Sequence, residues 1–241
     1  MDIDYSIIIP AYNEEAVLEY TLDQLKMAMS TVLLQGEIIV TDNNSTDHTA
    51  DIARNAGALV VFEPVNQISR ARNTGAKQAR GRYLIFVDAD TVIPPKLLQT
   101  ALHNLESDHC CGGGATVAMD ADIQGVAKKM VNSWNALSKH FQLAAGCFVY
   151  VRREDYDVCG GFSEAVFASE EIGLSRCLKR HGRKHGRKFS IITEPSAITS
   201  GRKLLWHSYA YQFILILTLV LFPFLTRFKW ACGFWYKRPN Q

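Results

Sequence analysis

Two aspartates, Asp88 and Asp90, stand two positions apart at the end of an unbroken apolar run, Tyr83-Leu84-Ile85-Phe86-Val87. A run of this kind suits a strand buried on both faces, and the open ends of such strands are where α/β sheets bind ligands. Two hard oxygen ligands on a rigid strand end can hold Mg²⁺ or Mn²⁺, and that ion can neutralise a diphosphate. The plainer alternative is that Asp88 and Asp90 only end the strand, because aspartate is a common turn residue. Asp42 is a further carboxylate at a strand end, opening the polar run Asp42-Asn43-Asn44-Ser45-Thr46-Asp47 after the apolar segment 37–41.

The elements that must position these groups can be read from periodicity. Residues 5–10 crowd β-branched side chains into a buried strand that Pro10 stops. Val17, Leu18, Thr21, Leu22 and Leu25 recur at helical spacing, with Asn13 as N-cap and Glu14 and Glu15 at the positive end of the helix. Asp47 or Ser45 caps a second helix through Asn55, Gly57 closes it, and residues 59–62 form a third strand. The small residues of 69–79 let a helix approach the sheet closely, while Arg70, Arg72 and Lys77 either reach an anionic ligand or stay solvated. Strands separated by helices predict a parallel βαβ architecture, an α/β fold with a mostly parallel sheet flanked by helices.

Pro94 and Pro95 open a helix through Glu106, and residues 110–119 follow as a strand. Gly112, Gly113 and Gly114 in that strand lack the spacing of a dinucleotide site and instead permit close backbone approach. The segment 124–141 is helical, with Val126, Met130, Trp134, Leu137 and Phe141 on one stripe that reads as core. Residues 146–152 and 189–192 are further strands. His181 and His185 lie among the cations of 179–188, which disfavour metal binding and suit a solvated loop or an acidic-surface contact.

The chain has 241 residues, 48% hydrophobic and 21% charged, which fits a folded α/β protein rather than a disordered one. A net charge of +2 gives no argument for nucleic acid. Six cysteines without Cys-x-x-Cys spacing suggest a reduced, cytosolic setting, and the acidic, strand-like opening is unlike a secretory signal.

The ordered segments Ser6-Ile7-Ile8-Ile9-Pro10-Ala11-Tyr12-Asn13-Glu14, Ile39-Val40-Thr41-Asp42-Asn43-Asn44-Ser45-Thr46-Asp47, Ala71-Arg72-Asn73-Thr74-Gly75 and Asp88-Ala89-Asp90 together resemble the signature of glycosyltransferase family 2. The resemblance implies a GT-A fold that binds a nucleotide-diphosphate sugar and transfers the sugar to a hydroxyl acceptor, saccharide or lipid-linked, with inversion. It places Glu14 and Asp42 around the nucleobase and ribose, lays the backbone of Pro10, Ala11 and Tyr12 against the nucleotide, and puts Asp90 on Mn²⁺ or Mg²⁺. Asp88 falls near the ribose or in the shell of the metal. Further on, Gly160-Gly161-Phe162-Ser163-Glu164 and Ala168-Ser169-Glu170-Glu171 resemble the second half of the signature, where the pair is usually Glu-Asp. Glu171 thus matches the general base, but the added methylene leaves both Glu170 and Glu171 as candidates, and either also suits a helix start. Ser200-Gly201-Arg202-Lys203 resembles a loop over the donor phosphates; Arg202 can pair bidentately with them, with Arg72 as a second cation and His207 as a weaker candidate. A nucleotidyltransferase on a related fold and a non-catalytic nucleotide-sugar-binding protein are the alternatives.

The expected organisation is a GT-A domain over 1–205, with a nucleotide-binding half (1–92) and an acceptor half (93–205), followed by a hydrophobic tail over 206–241. Residues 209–225 carry no charged side chain, and Arg227, Lys229, Lys237 and Arg238 lie beyond them with aromatics at both borders. This composition suits a membrane interface, as a short span or an embedded helix at the inner face of a membrane; a buried helix or a homodimer contact is the alternative.

Overall fold

A computed structural model describes residues 2–120, 125–202, 211, 214, 215, 218 and 221–236. The first half alternates strand and helix: β1 (Tyr5–Ala11), α1 (Leu18–Met29), β2 (Gly36–Asp42), α2 (Thr49–Asn55), β3 (Leu59–Phe62), α3 (Ile68–Gln78) and β4 (Tyr83–Val87). The second half adds β5 (Thr91–Val92), α4 (Pro95–Glu106), β6 (Cys110–Met119), α5 (Gly125–Phe141), β7 (Phe148–Arg152), α6 (Arg153–Val158), α7 (Glu170–Lys184) and β8 (Lys188–Thr199).

These strands form one sheet in the order β3-β2-β1-β4-β7-β6-β8-β5. The first four strands are mutually parallel, β7 runs antiparallel between β4 and β6, and β8 is parallel to β6. Alternation along the strands feeds two cores. Ile7, Ile9 and Ile85 pack with Leu22, Leu25 and Leu98 on one face, while Ile8, Leu84 and Phe86 pack with Ala76, Phe162 and Leu178 on the other. That is why the strands read as continuous apolar runs. The glycines of β6 serve the second half of the sheet: a Cβ on Gly113 would sit 1.9 Å from the Ser190 carbonyl oxygen and 2.5 Å from the Tyr150 ring.

Several expectations are corrected. Asn13 does not cap α1, whose N-cap is Val17; Asn13 is left-handed at φ 51°, and its Oδ1 accepts from Thr46 N at 2.8 Å, tying the β1 and β2 loops together. Asparagine tolerates that conformation better than most residues. Cys159 and Cys177 form a disulfide with a Cα–Cα distance of 5.8 Å, so the six cysteines are not all thiols. On α5, Leu137 and Phe141 are exposed, and the inward positions are the small Ala127 and Ser138, with Trp134 partly buried beside them. Close packing of a helix on the sheet selects small residues, so the bulky Leu137 and Phe141 turn outward. The basic run is not a solvated loop but largely the end of α7, where His181 Nε2 and Arg187 Nη1 converge on the fully buried Asp155 at 3.1 and 3.2 Å. Finally, β8 extends well past 192. Lys203, His207, Lys237 and Arg238 lie outside the described residues. Among those described, no helix is long and apolar enough to cross a membrane.

Candidate active site

The carboxyl ends of β1 and β4 meet at a pocket lined by Pro10, Ala11, Tyr12, Glu14, Asp88, Ala89 and Asp90. The parallel register pairs Ile8 with Phe86, so the two strands deliver their terminal loops to the same edge. Asn43, Asn66, Ile68 and Tyr236 complete the wall. Asn43 shapes this side: its Nδ2 donates to the carbonyls of Glu63 and Val65, its Oδ1 accepts from Gln67 N at 2.9 Å, and its carbonyl accepts from Asn66 Nδ2. Asp42, one residue earlier, is buried and accepts from Ser45 N at 3.0 Å, behind the wall rather than on it.

Arg202 reaches this pocket through sheet geometry. Thr91 pairs with Thr199 between β5 and β8, and Ser200 N donates to the Asp90 carbonyl at 3.1 Å, so the chain after β8 passes directly over the aspartates. Its guanidinium Nη2 lies 2.9 Å from Glu14 Oε2 and 3.4 Å from Asp90 Oδ2. Burial works against the charge on Arg202, but the hydrogen bond and charge of Glu14, with Asp90, outweigh it and hold its pKa above the ordinary value.

A second cavity adjoins the first across shared residues Ile68 and Asp88, and is lined further by Arg72, Gly146, Phe167, Ser169, Glu170 and Glu171. Arg72 is 1% exposed and organises it. Its Nη2 donates to Asp88 Oδ1 and to the Gly146 carbonyl, each at 2.8 Å, its Nη1 donates to Glu170 Oε1, and its guanidinium lies 5.0 Å from the Phe162 ring centroid. Burial opposes its charge, yet Asp88, Glu170 and Glu171 keep its pKa raised. Arg72 is therefore the counter-ion of three carboxylates. Its neighbour Arg70 faces elsewhere, pairing with Glu63 and Glu164.

Glu170 and Glu171 open α7, after Ser169 at φ 64°. A serine in the left-handed region costs roughly 1–2 kcal/mol, and that turn aims both carboxylates into the cavity rather than along the helix. Glu170 is buried against Arg72, whereas Glu171 is half-buried. Burial first, then the like charge of Glu170, push the Glu171 carboxyl up to about 8 against the pull of a backbone hydrogen bond and Arg72. The turn before α7 is pinned by Asn73, whose Oδ1 accepts from Tyr156 Oη at 2.7 Å and Phe162 N at 3.0 Å while its Nδ2 donates to the Phe162 carbonyl.

The structure thus brings together Pro10, Ala11, Tyr12, Glu14, Asp88, Asp90 and Arg202 on one side and Arg72, Asp88, Glu170 and Glu171 on the other. Sequence reasoning missed Asn43, Asn66, Asn73 and Tyr236. The asparagines carried a local signal in the polar strand ends and in Ala71-Arg72-Asn73; Tyr236 carried none.

Among the described residues no three His, Cys, Asp or Glu side chains form a metal cage. The donor set nevertheless suits a hard divalent cation, since Asp88 and Asp90 offer carboxylate oxygens and Mg²⁺-type ions take the rest of their shell from water and substrate phosphates. The cationic Arg202 on Glu14 and Asp90 marks the same spot as one where positive charge is favoured.

The mixed sheet with helices on both faces is the GT-A fold of the solved glycosyltransferases that this chain resembles. The chain belongs to glycosyl transferase family 2, whose sequence model matches residues 6–160. It is 34% identical over 108 residues to the uncharacterized glycosyltransferase EpsJ of Bacillus subtilis, a match covering 43% of this chain and 30% of that protein. It is 27% identical over 170 residues to the Escherichia coli UDP-Glc:alpha-D-GlcNAc-diphosphoundecaprenol beta-1,3-glucosyltransferase WfaP, covering 63% and 66% of the two. The chain spans about a third or less of the first curated relatives it matches. Among solved structures, the mannosyltransferase PcManGT of Pyrobaculum calidifontis in complex with GDP-Man and Mn²⁺ superposes with a TM-score of 0.65 at 18% identity, over 97% of this chain and 70% of that one. At that identity the likeness shows the fold.

Proposed function

We propose that the chain transfers a sugar from a nucleotide-diphosphate donor to a hydroxyl acceptor, with a divalent cation and with inversion. The observation that carries this reading is the pair of adjoining cavities that share Asp88: one walled by the β1 end and Asp90, the other holding an acidic pair. The Mn²⁺ in the PcManGT complex supports the cation. In this reading the backbone of Pro10–Tyr12, with Glu14 beside it on the wall and Asp42 behind, receives the nucleoside. Asp90 and Asp88 would hold the cation, which when bound would neutralise the diphosphate as charge develops on it.

Glu171 is the base. Glu170 is committed to Arg72, which leaves Glu171 as the carboxylate with lone pairs for an acceptor. It takes the acceptor hydroxyl proton as the new C–O bond forms at the anomeric carbon, and the bond to the diphosphate breaks with its electron pair leaving on the nucleoside diphosphate. A carboxyl poised near neutral pH is suited to this step. Arg202 leaves its carboxylates for the diphosphate oxygens, and Arg72 holds Asp88 and Glu170 in register. Both proposed halves, 1–92 and 93–205, contribute to each cavity: Ile68, Arg72 and Asp88 line the carboxylate cavity, and Arg202 reaches Glu14 and Asp90 at the other.

A lipid-linked acceptor is supported by the diphosphoundecaprenol in the name of the WfaP relative, and by the exposed Phe222, Phe224, Phe228 and Trp230 beside Arg227 and Lys229. Aromatic and basic side chains together suit a peripheral position at the membrane interface. The Cys159–Cys177 bond stands against reading a reducing compartment from cysteine spacing alone. Incubation with a panel of nucleotide sugars, Mn²⁺ and acceptors tests the function: release of free nucleoside diphosphate supports it. Pyrophosphate release in a parallel incubation with nucleoside triphosphate and sugar phosphate would point to a nucleotidyltransferase, and release of neither product would sink transfer.

A further inference from the structure

The wall of the nucleotide pocket includes a residue far outside the stretch matched by the family. Tyr236 lines the same cavity as Asp88, although the family match ends at residue 160. Its oxygen accepts from Ile68 N at 3.3 Å, which leaves its own O–H proton to donate. Burial raises the phenol above its ordinary pKa, so it keeps that proton at neutral pH.

The segment that carries Tyr236 is tied down on both cavities. On the nucleotide side, Lys229 Nζ donates to the carbonyl and Oδ1 of Asn66, each at 3.2 Å, and lies 5.2 Å from the Tyr236 ring centroid. On the carboxylate side, Phe167 N donates to the Thr226 carbonyl at 2.6 Å, and the Phe167 and Tyr236 rings meet edge to face at 5.8 Å. Thr226 and Cys232 are buried beneath the segment. An aromatic ring fixed at the edge of a nucleotide pocket can stack on any base or ribose face, and a neutral phenol can donate to a ribose or phosphate oxygen.

We propose that Tyr236 contacts the nucleoside diphosphate of the donor, and that Pro223–Tyr236 is the strap that holds it on the pocket wall. This deepens the glycosyl-transfer reading and rests on it. The full chain and its Y236A and Y236F variants are titrated calorimetrically with UDP and with GDP in Mn²⁺. Y236A is expected to weaken the nucleotide that the parent binds about tenfold, with Y236F in between. Hydrogen exchange on the unaltered chain supplies a readout that no misfolded variant can confuse: peptides covering 223–236 should slow when nucleotide and Mn²⁺ are added. Affinity within twofold of the parent in Y236A, with unchanged exchange in that peptide, overturns the strap while leaving the donor reading intact. If the parent binds neither nucleotide, the donor reading falls and the strap with it.

Discussion

The two cavities share Asp88 and are built on opposite electrostatic plans. On the nucleotide side, the cation facing Glu14 and Asp90 is Arg202, a side chain 29% exposed on a loop that follows the sheet. On the carboxylate side, the cation is Arg72, 1% exposed and bonded to two carboxylates and a carbonyl at once. A partly exposed arginine at the end of a loop can exchange its partners for a ligand; a fully enclosed one cannot leave without stranding buried charge. On the glycosyl-transfer reading the first cavity would be reloaded at each turnover, while the second keeps its geometry. Asp90→Ala breaks this comparison most severely. Transfer should fall by at least about 10³-fold, since a cation on the leaving diphosphate supplies several kcal/mol, and chelation with EDTA should match it. Transfer undiminished in that variant would remove the cation from the reading.

Glu171→Gln sharpens the contrast from the other side. Turnover should fall about 10²–10⁴-fold while the affinity for nucleoside diphosphate with Mn²⁺ stays at the parent value, because the proposed base lies in the second cavity. The parent should also show a pH limb. Only ionised Glu171 can accept a proton, and its carboxyl is pushed up to about 8, so the free-enzyme kcat/KM should rise with pH through that value and flatten above it. Stability runs the opposite way. A raised carboxyl pKa stabilises the fold fully below the unfolded value near 4.5, and that contribution is lost as pH rises towards 8. Glu171→Gln should thus gain melting temperature over the parent as pH increases. Profiles of both proteins from pH 5 to 9 check both signs together.

Arg72→Met tests the permanent cation. Removing one partner from a buried ion cluster typically costs about 3–5 kcal/mol because uncompensated charge stays behind, here on Asp88 and Glu170. Chemical denaturation should register that loss, and a double change with Glu170→Gln should recover part of it.

Much of this arrangement was legible in the sequence where local chemistry sets the outcome. The apolar runs ending at Pro10 and Asp88 named strands whose carboxyl ends do meet, because parallel pairing of βαβ units leaves little alternative. The acidic pair at 170 and 171 gave away a helix start. What stayed hidden depends on who faces whom. Nothing in Ser200-Gly201-Arg202 says that Arg202 rests on Glu14, 188 residues earlier, and nothing near Tyr236 announces a pocket. The stripe Met130, Trp134, Leu137 and Phe141 has true helical period, but period identifies a face without saying whether sheet or solvent meets it. Here the closest approach to the sheet went to small residues. Cys159 and Cys177 are joined because α6 and α7 pack side by side, a tertiary fact that their separation of 18 does not encode.

The smallest effect comes from the cation two residues before Arg72. Arg70 lies on the same helix, also pairs with two carboxylates, Glu63 and Glu164, and looks equivalent in sequence. Its side chain is 38% exposed. Water can therefore solvate both Arg70 and the Glu164 it leaves behind, and exposed pairs contribute about 0–1 kcal/mol. Glu63 is the more buried of its partners, but it keeps Thr74 Oγ1 at 2.7 Å and Val65 N at 3.0 Å when Arg70 is gone. Arg70→Ala should accordingly cost less than about 1 kcal/mol in denaturation and leave nucleotide affinity unchanged. A loss as large as that of Arg72→Met would mean that hydrogen bonds from Thr74 and Val65 do not suffice to hold Glu63, and that the loop carrying Asn66 and Ile68 depends on this pair. The contrast between an exchangeable and a permanent cation would then have to be redrawn to include a third arginine.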